Sequence, residues 1–423
     1  MRSLVVRDAA LPAGSGRTAV DVVCVDGHIT SIGPVGGPLP EGAEALDARG
    51  CLVLPGLVNG HTHAAMTLFR GWGDDLPLME WLERRIWPAE ARLTPDDVYW
   101  GTRVAIAEMV RTGTLGFWDM YWHGEAVGRA VLDSGARGVL SSVVFDGLDP
   151  AVGRASRSRV LDELDRLAEF GPRVRPSLGP HAVYTVSEAT LAWLGEVARE
   201  RGLPVQIHCS ETADEVTRCR ADHGVSPVGL LDRCGLLGPD VVLAHAVWCD
   251  TADLALIAER GATVVTNPVS NMKLAVGAAF PAAAAAAAGI PIGLGTDGTA
   301  SNNSLDLLAD AKVLCLLQKH THADAAMMPA TEAWAIATGA RAPALGGTPE
   351  VAVGAPADFL LVDDDPAHLG PGTLEHNLVY AASAVRVRHA VVDGAVVLRD
   401  GSSEGEQEAR ERLVRAARRL GVD

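Results

Sequence analysis

The sequence predicts an α/β protein: a (β/α)8 TIM barrel with a small β-sandwich domain formed by the N- and C-terminal segments. Three observations carry this. Eight apolar, β-type runs recur through the middle of the chain, the first ending near Asn59 and the others at 115–118, 138–145, 174–178, 204–207, 241–244, 262–266 and 291–294. Helical patterns separate them, and eight alternating units over roughly 250 to 300 residues are what a closed parallel barrel needs. Strand-like runs without helices occupy only the two ends. A doubly wound sheet is the competing architecture.

Taken in order, residues 1–54 read as short strands and turns: Ser3-Leu-Val-Val, 19–25, 29–32 and 45–47, with a Gly/Pro-rich loop between. Strands of this kind cannot bury both faces alone. The complement lies at 351–402, where 357–363, 385–389 and 390–398 are β-type and Asp393-Gly394 is a hairpin signal. The barrel occupies 55–350. Its helices include 94–111, 159–170, 187–201 and 251–260; the first and the last two begin at Thr or Ser, as helix starts prefer. A charged, solvent-facing helix closes the chain over 403–423. The stretch 274–296 has no charged residue and the length of a membrane span, but Gly277, Pro281, Gly289 and Pro291 break it, so it reads as a short helix followed by a strand.

Composition narrows the function. Hydrophobic residues make up 48% and charged residues 21% of the 423, the profile of a compact soluble protein. A formal charge of −17 argues against nucleic acid or an anionic membrane as partner, since both require basic surface. Seven cysteines at irregular spacings, with no Cys-x-x-Cys, look like core thiols of a reducing compartment. No apolar signal region follows Met-Arg-Ser-Leu-Val-Val, and the expected location is cytoplasmic.

The chemistry is written at the strand ends. In Leu54-Pro-Gly-Leu-Val-Asn-Gly-His-Thr-His63, two imidazoles stand one residue apart, on one side of an extended backbone. Alone this is weak, but five of the eight expected strand ends carry a His or Asp: His61 and His63, then His181, His208, His245 and Asp297. The other eight histidines fall in turns or on helices. Three imidazoles and a carboxylate suit a borderline divalent ion that keeps one position open for water. The expected ligands are therefore His61, His63, His208 and Asp297. Asp297 can also accept a proton, His245 can orient a nucleophile, and Glu211, three residues past His208, can do general acid–base work. Gly293-Leu-Gly-Thr-Asp-Gly298 has the dinucleotide-binding spacing, but it lies late in the chain with an Asp in its middle. Neither the Pro-Cys-x-x-Cys of cytidine-type deaminases nor His-Glu-x-x-His nor a phosphate-binding Gly-Lys-Ser/Thr occurs.

The motifs Pro55–Gly71, Gly179-Pro-His-Ala-Val-Tyr184, His208-Cys-Ser-Glu-Thr212, Asn267–Leu274 and Gly295–Asn303 resemble the amidohydrolase superfamily, and within it the S-adenosylhomocysteine/5′-methylthioadenosine deaminases. The resemblance implies one divalent metal, usually zinc and sometimes iron, on the four residues above. It also implies that Glu211 protonates a ring nitrogen while water adds to the amine-bearing carbon. Relatives with two metals use a modified lysine on the fourth strand; here only Lys273, Lys312 and Lys319 occur, none near that strand. Trp81 and Glu90 resemble the residues that pack on the base and bind ribose hydroxyls, with His181 as a further contact. Homocysteine-binding members hold the amino-acid carboxylate with two arginines. Arg154 matches one, and Ser142 stands where the other is expected, which moves weight from S-adenosylhomocysteine toward adenosine and its 5′-deoxy or 5′-methylthio forms.

The expectation is thus a metal-dependent deaminase of adenosine or a 5′-modified adenosine. Its partner is a purine nucleoside, and a homo-oligomer is compatible with that reading. The alternatives are hydrolysis of an amino or chloro group on a free heterocycle such as guanine, cytosine or a triazine, and a metal-binding protein without turnover.

Overall fold

The computed structural model describes residues 2–13, 16–38, 40–370 and 372–422. Sixteen strands run along the described residues. The first five are β1 (Ser3–Ala13), β2 (Gly16–Val25), β3 (His28–Gly33), β4 (Glu44–Asp47) and β5 (Cys51–Pro55). Eight more alternate with helices: β6 (Leu57–Thr62), β7 (Thr114–Asp119), β8 (Arg137–Val144), β9 (Val174–Pro180), β10 (Val205–Cys209), β11 (Val241–His245), β12 (Thr263–Thr266) and β13 (Ile292–Leu294). The last three are β14 (Phe359–Asp363), β15 (Val387–Val392) and β16 (Ala395–Leu398).

Strands β6 to β13 form one parallel ladder in chain order, the nearly closed barrel that the alternating runs predict. The ladder stops between β13 and β6, and polar groups bridge the seam. Asn59 on β6 donates to Thr296 Oγ1 at 2.7 Å and accepts from Thr296 N at 3.1 Å, and Asp297 N donates to the His61 carbonyl at 3.0 Å. The bridge sets the segment carrying Asp297 against the strand carrying His61. Gly295 allows this approach: an added Cβ there would meet the His61 carbonyl at 2.9 Å and the Asn267 side chain.

Both chain ends contribute to the other sheet, ordered β16-β15-β14-β5-β1-β2-β3, with β4 paired to β1. Strands β5 and β14 run antiparallel, Leu54 opposite Leu360, and buried side chains from both ends, among them Leu4, Val22, Val53, Phe359 and Val391, form a separate core. The hairpin signal holds: β15 and β16 turn through Asp393 and Gly394, both at positive φ (52° and 69°). The apolar run ahead of the histidines is divided at Gly56. Cys51–Pro55 belongs to the small sheet and Leu57–Thr62 to the barrel, and at the junction the Leu115 side chain packs where a Cβ at Gly56 would lie.

Helix starts differ in detail from the sequence reading. Thr94 caps Pro95–Arg111 in a full capping box with Asp97. The helix read from Arg159 begins instead at Pro150, after an Asp149 cap, the usual place for Pro. Asp250, not Thr251, caps Thr251–Arg260. Ser187 precedes Glu188–Arg201, but its hydroxyl bonds Asp146 rather than the helix amides. The 274–296 stretch divides into Ala282–Ala287 and β13, and no helix among the described residues is long and apolar enough to cross a membrane.

The terminal helix, Glu406–Leu420, is not simply solvent-facing. It buries Ala409, Ala416 and Leu420 on one stripe, and Arg419 pairs with Asp97 while Glu406 pairs with Arg111, both on helix Pro95–Arg111. That helix backs the turn Ala64–Phe69 after His63, where Thr67 Oγ1 donates to the Gly101 carbonyl at 2.7 Å.

Candidate functional site

The barrel brings His61, His63, His208 and Asp297 together at the C-terminal ends of its strands, their ligand atoms all within 4.8 Å of one another. His63 Nε2 lies 3.1 Å and His61 Nε2 3.5 Å from Asp297 Oδ1, and the Nε2 atoms of His63 and His208 are 3.3 Å apart.

Each imidazole is oriented through its other nitrogen. His61 Nδ1 lies 3.1 Å from Gln206 Oε1, His63 Nδ1 2.7 Å from the Met120 carbonyl, and His208 Nδ1 2.8 Å from the His181 carbonyl. Oxygen acceptors at all three place the proton on Nδ1, which leaves every Nε2 lone pair turned toward Asp297. His61 Nε2 is buried and makes no hydrogen bond, a cost that a cation in the cluster removes. The second Asp297 oxygen accepts from Ser270 Oγ at 2.6 Å and Ser301 Oγ at 3.1 Å. Charge follows the same geometry. Burial opposes a charge on His63, yet the Asp297 hydrogen bond and carboxylate lift it to about 9. Burial likewise opposes ionisation of Asp297, and the close rings of His61 and His63 hold it well below the usual carboxylate range. Three imidazole nitrogens turned to one point beside an ionised carboxylate suit a divalent metal ion, which would take the place of the proton on His63.

Strained backbone surrounds the cluster. Ser210, His245, Ala246 and Asp297 have φ of 51°, 73°, 49° and 60°, each costing on the order of 1 kcal/mol or more for a side chain with a Cβ. These residues follow three different strands at the same end of the barrel, so the strain coincides with the turns that aim side chains into the cavity.

One cavity is lined by His63, His208 and Asp297 together with Trp81, Glu90, His181, Glu211 and His245. His245 Nδ1 lies 2.8 Å from Asn271 Oδ1, and its Nε2 is buried, without a hydrogen bond, 3.9 Å from Glu211 Oε2. Burial, and then the Asp297 charge, push Glu211 up to about 8. His181 is driven down to about 3, by burial first and then by the neighbouring histidines; its Nδ1 is 2.9 Å from Thr185 Oγ1. Glu90 accepts from Trp122 Nε1 at 3.3 Å, and burial raises its carboxyl. Trp81 is 5% exposed and part of a core cluster as well as the cavity wall.

Arg154 is the one sequence-predicted site residue that the structure does not bring here. It is exposed on helix Pro150–Ala168 and lines neither this cavity nor the one adjoining it past Glu90 and Phe145. The helix begins nine residues earlier than its sequence pattern suggests, and Arg159, also exposed, is the arginine that lines the adjoining cavity, bonded to Glu163 and to the Val143 carbonyl. Ser142 is fully buried and also bonds Glu163. Sequence reasoning missed Gln206, Asn271, Ser270 and Ser301. Gln206 could have been found, since a polar residue inside the apolar run ahead of His208 must face partners inside the barrel.

Comparison with known proteins agrees with this geometry. The model of the amidohydrolase family matches residues 52–397. The chain belongs to that family. It is 45% identical over 386 residues to the 5′-deoxyadenosine deaminase of Methanoregula boonei, covering 90% of this chain and 87% of that one. It is 44% identical to the 5-methylthioadenosine/S-adenosylhomocysteine deaminase of Syntrophobacter fumaroxidans, over 90% and 88% of the two chains. Among solved structures, this amidohydrolase resembles an adenosine deaminase from Xanthomonas campestris with bound zinc, at a TM-score of 0.88 and 31% identity over 99% and 98% of the chains. A guanine deaminase from C. acetobutylicum, at a TM-score of 0.81 and 21% identity over 93% and 100% of the chains, shares the fold.

Proposed function

We propose that this amidohydrolase is a zinc-dependent deaminase that converts adenosine, or an adenosine altered at the 5′ position, and water to the inosine counterpart and ammonia. The observation that carries the reading is a cavity in which His63, His208 and Asp297, with His61 buried behind them, share the wall with Glu211, Trp81 and Glu90. The names of the two relatives and of the zinc-containing neighbour point the same way.

The roles follow from the donors. Held by His61, His63, His208 and Asp297, a zinc ion supplies the Lewis acidity that makes water nucleophilic near neutral pH. Asp297 takes the proton from the attacking water. His245, its ring fixed by Asn271, orients that water through Nε2. Glu211, protonated at neutral pH, gives its proton to a ring nitrogen as the amine-bearing carbon becomes tetrahedral; the proton held by Asp297 then passes to the amine, which leaves as ammonia, and Glu211 takes up the hydroxyl proton as the carbonyl forms. Trp81 packs against the base, Glu90 accepts hydrogen bonds from the ribose hydroxyls, and neutral His181 adds a polar contact.

The exposed position of Arg154 and the bond of Ser142 to Glu163 leave the pair expected for an amino-acid carboxylate incomplete. A hydroxyl, hydrogen or methylthio group at the 5′ position fits better than homocysteine. The test is loss of adenine absorbance with the zinc-loaded enzyme against adenosine, 5′-deoxyadenosine, 5′-methylthioadenosine, S-adenosylhomocysteine, guanine, cytosine and a triazine. The reading requires turnover of the neutral adenosines with kcat/KM above that for S-adenosylhomocysteine; turnover of free heterocycles alone would refute it.

A further inference from the structure

We infer that Glu215 is a positioning residue that holds the backbone of Glu211 and so aims its carboxyl into the cavity, an inference that rests on the acid role proposed for Glu211. Strand β10 ends at Cys209, and Ser210 takes the left-handed conformation (φ 51°) that swings the next residue toward the cavity. The two carboxylate oxygens of Glu215 clamp this turn: Oε1 accepts from Ser210 N at 2.9 Å and Oε2 from Glu211 N at 2.8 Å. One side chain thus fixes two consecutive amides, on either side of the peptide that sets the direction of Glu211.

The clamp extends beyond ordinary helix capping. Glu215 lies in the first turn of helix Ala213–His223, whose start is capped by Thr212, with Glu215 N donating to Thr212 Oγ1 at 3.2 Å. The carboxylate is 4% exposed and has no ion-pair partner among the described residues. Burial pushes its carboxyl up to about 8, against the backbone amides that bond it; a buried carboxyl group is costly without hydrogen-bond partners, and here the amides at the turn supply them. The same turn is tied to the loop that follows His245, since Ala246 N donates to the Cys209 carbonyl at 3.0 Å and Trp248 N to the Ser210 carbonyl at 2.8 Å. Glu211 and His245 are therefore placed from one piece of backbone, and Glu215 holds the half that no strand ladder supports.

The test uses the zinc-loaded, full-length Glu215→Gln and Glu215→Ala variants, assayed for kcat, KM and bound zinc on the best adenosine of the panel. A misaimed acid slows the chemical step without weakening substrate capture. The expected result is a kcat loss on the order of 10- to 100-fold for Ala, with KM and zinc content within about twofold of the unmodified enzyme. Gln, which keeps one acceptor oxygen, should lose less. A kcat within twofold of the unmodified enzyme in Glu215→Gln and Glu215→Ala overturns the inference. So does a loss that comes with raised KM or lost zinc, which would make Glu215 a general support of the strand end. If the Ala variant does not fold, the isosteric Gln variant decides, with a kcat loss of severalfold at unchanged KM required. Glu211→Gln is measured alongside. If it turns over normally, the acid assignment fails and this inference with it; if it is inactive while both Glu215 variants are normal, only the role of Glu215 falls.

Discussion

Burial and the nearby Asp297 charge push the Glu211 carboxyl up to about 8, so below that pH the side chain carries the proton that the ring nitrogen needs as water adds. The sign is fixed by the role: an acid is competent while protonated, so kcat/KM should hold through neutrality and fall as pH rises through about 8. A profile that instead rises across that range would refute the assignment. Glu211→Gln should cut kcat by about 100-fold or more and leave bound zinc unchanged by metal analysis. Gln206 acts at one remove. Its Oε1 accepts a hydrogen bond from His61 Nδ1, and its amide donates to the Asp119 carbonyl at 3.0 Å and Ser141 Oγ at 2.7 Å, so it cannot turn away. Replacing it with Ala should weaken zinc affinity by about 10- to 100-fold in a chelator competition. These residues differ in how legible they were. Glu211 stands in a motif beside His208, whereas Asn271 and Ser270 become partners of His245 and Asp297 only once β11, β12 and β13 lie side by side.

Among the elements, helix Pro95–Arg111 matters beyond its own length because the turn after His63 rests on it and the terminal helix braces its outer face. Its capping box was readable, since Thr94 and Asp97 stand three apart before an apolar pattern. Its brace was not: a charged terminal segment shows the same composition whether it floats free or lays a narrow stripe of Ala409, Ala416 and Leu420 against a neighbour. Thr94→Ala removes the side chain that accepts from Asp97 N and should lower stability by about 1 kcal/mol in urea titration. The metal content of the folded fraction should not change, because the lost bond lies at the far start of the helix.

For the molecule as a whole, the cluster of four ligands draws on β6, β10 and the segment after β13, so the ion ties together strands from the first and last parts of the barrel. An ion that binds only the folded chain stabilises it by mass action, by about 2.7 kcal/mol at a hundredfold excess over Kd. Zinc should therefore raise the melting temperature of the chelator-stripped protein in a concentration-dependent way. Asp297→Ala should abolish both that rise and the activity; a variant that melts at the same temperature with and without zinc, yet still turns over substrate, would contradict the ligand set.

What the sequence determined by itself was everything that repeats or clusters along the chain. The apolar runs marked the eight barrel strands, the paired chain ends marked a shared sheet, and the residues closing the strands marked His61, His63, His181, His208, His245 and Asp297. These are local signals, because strand burial and strand ends leave their pattern within a few residues. Only the tertiary structure decided which distant groups face one another. It closed the seam between β13 and β6 through Asn59 and Thr296, turned the three Nε2 atoms inward through Gln206 and two carbonyls, and left Arg154 outside the cavity. Such contacts depend on barrel register and on where a helix begins, and neither leaves a pattern within a few residues of sequence.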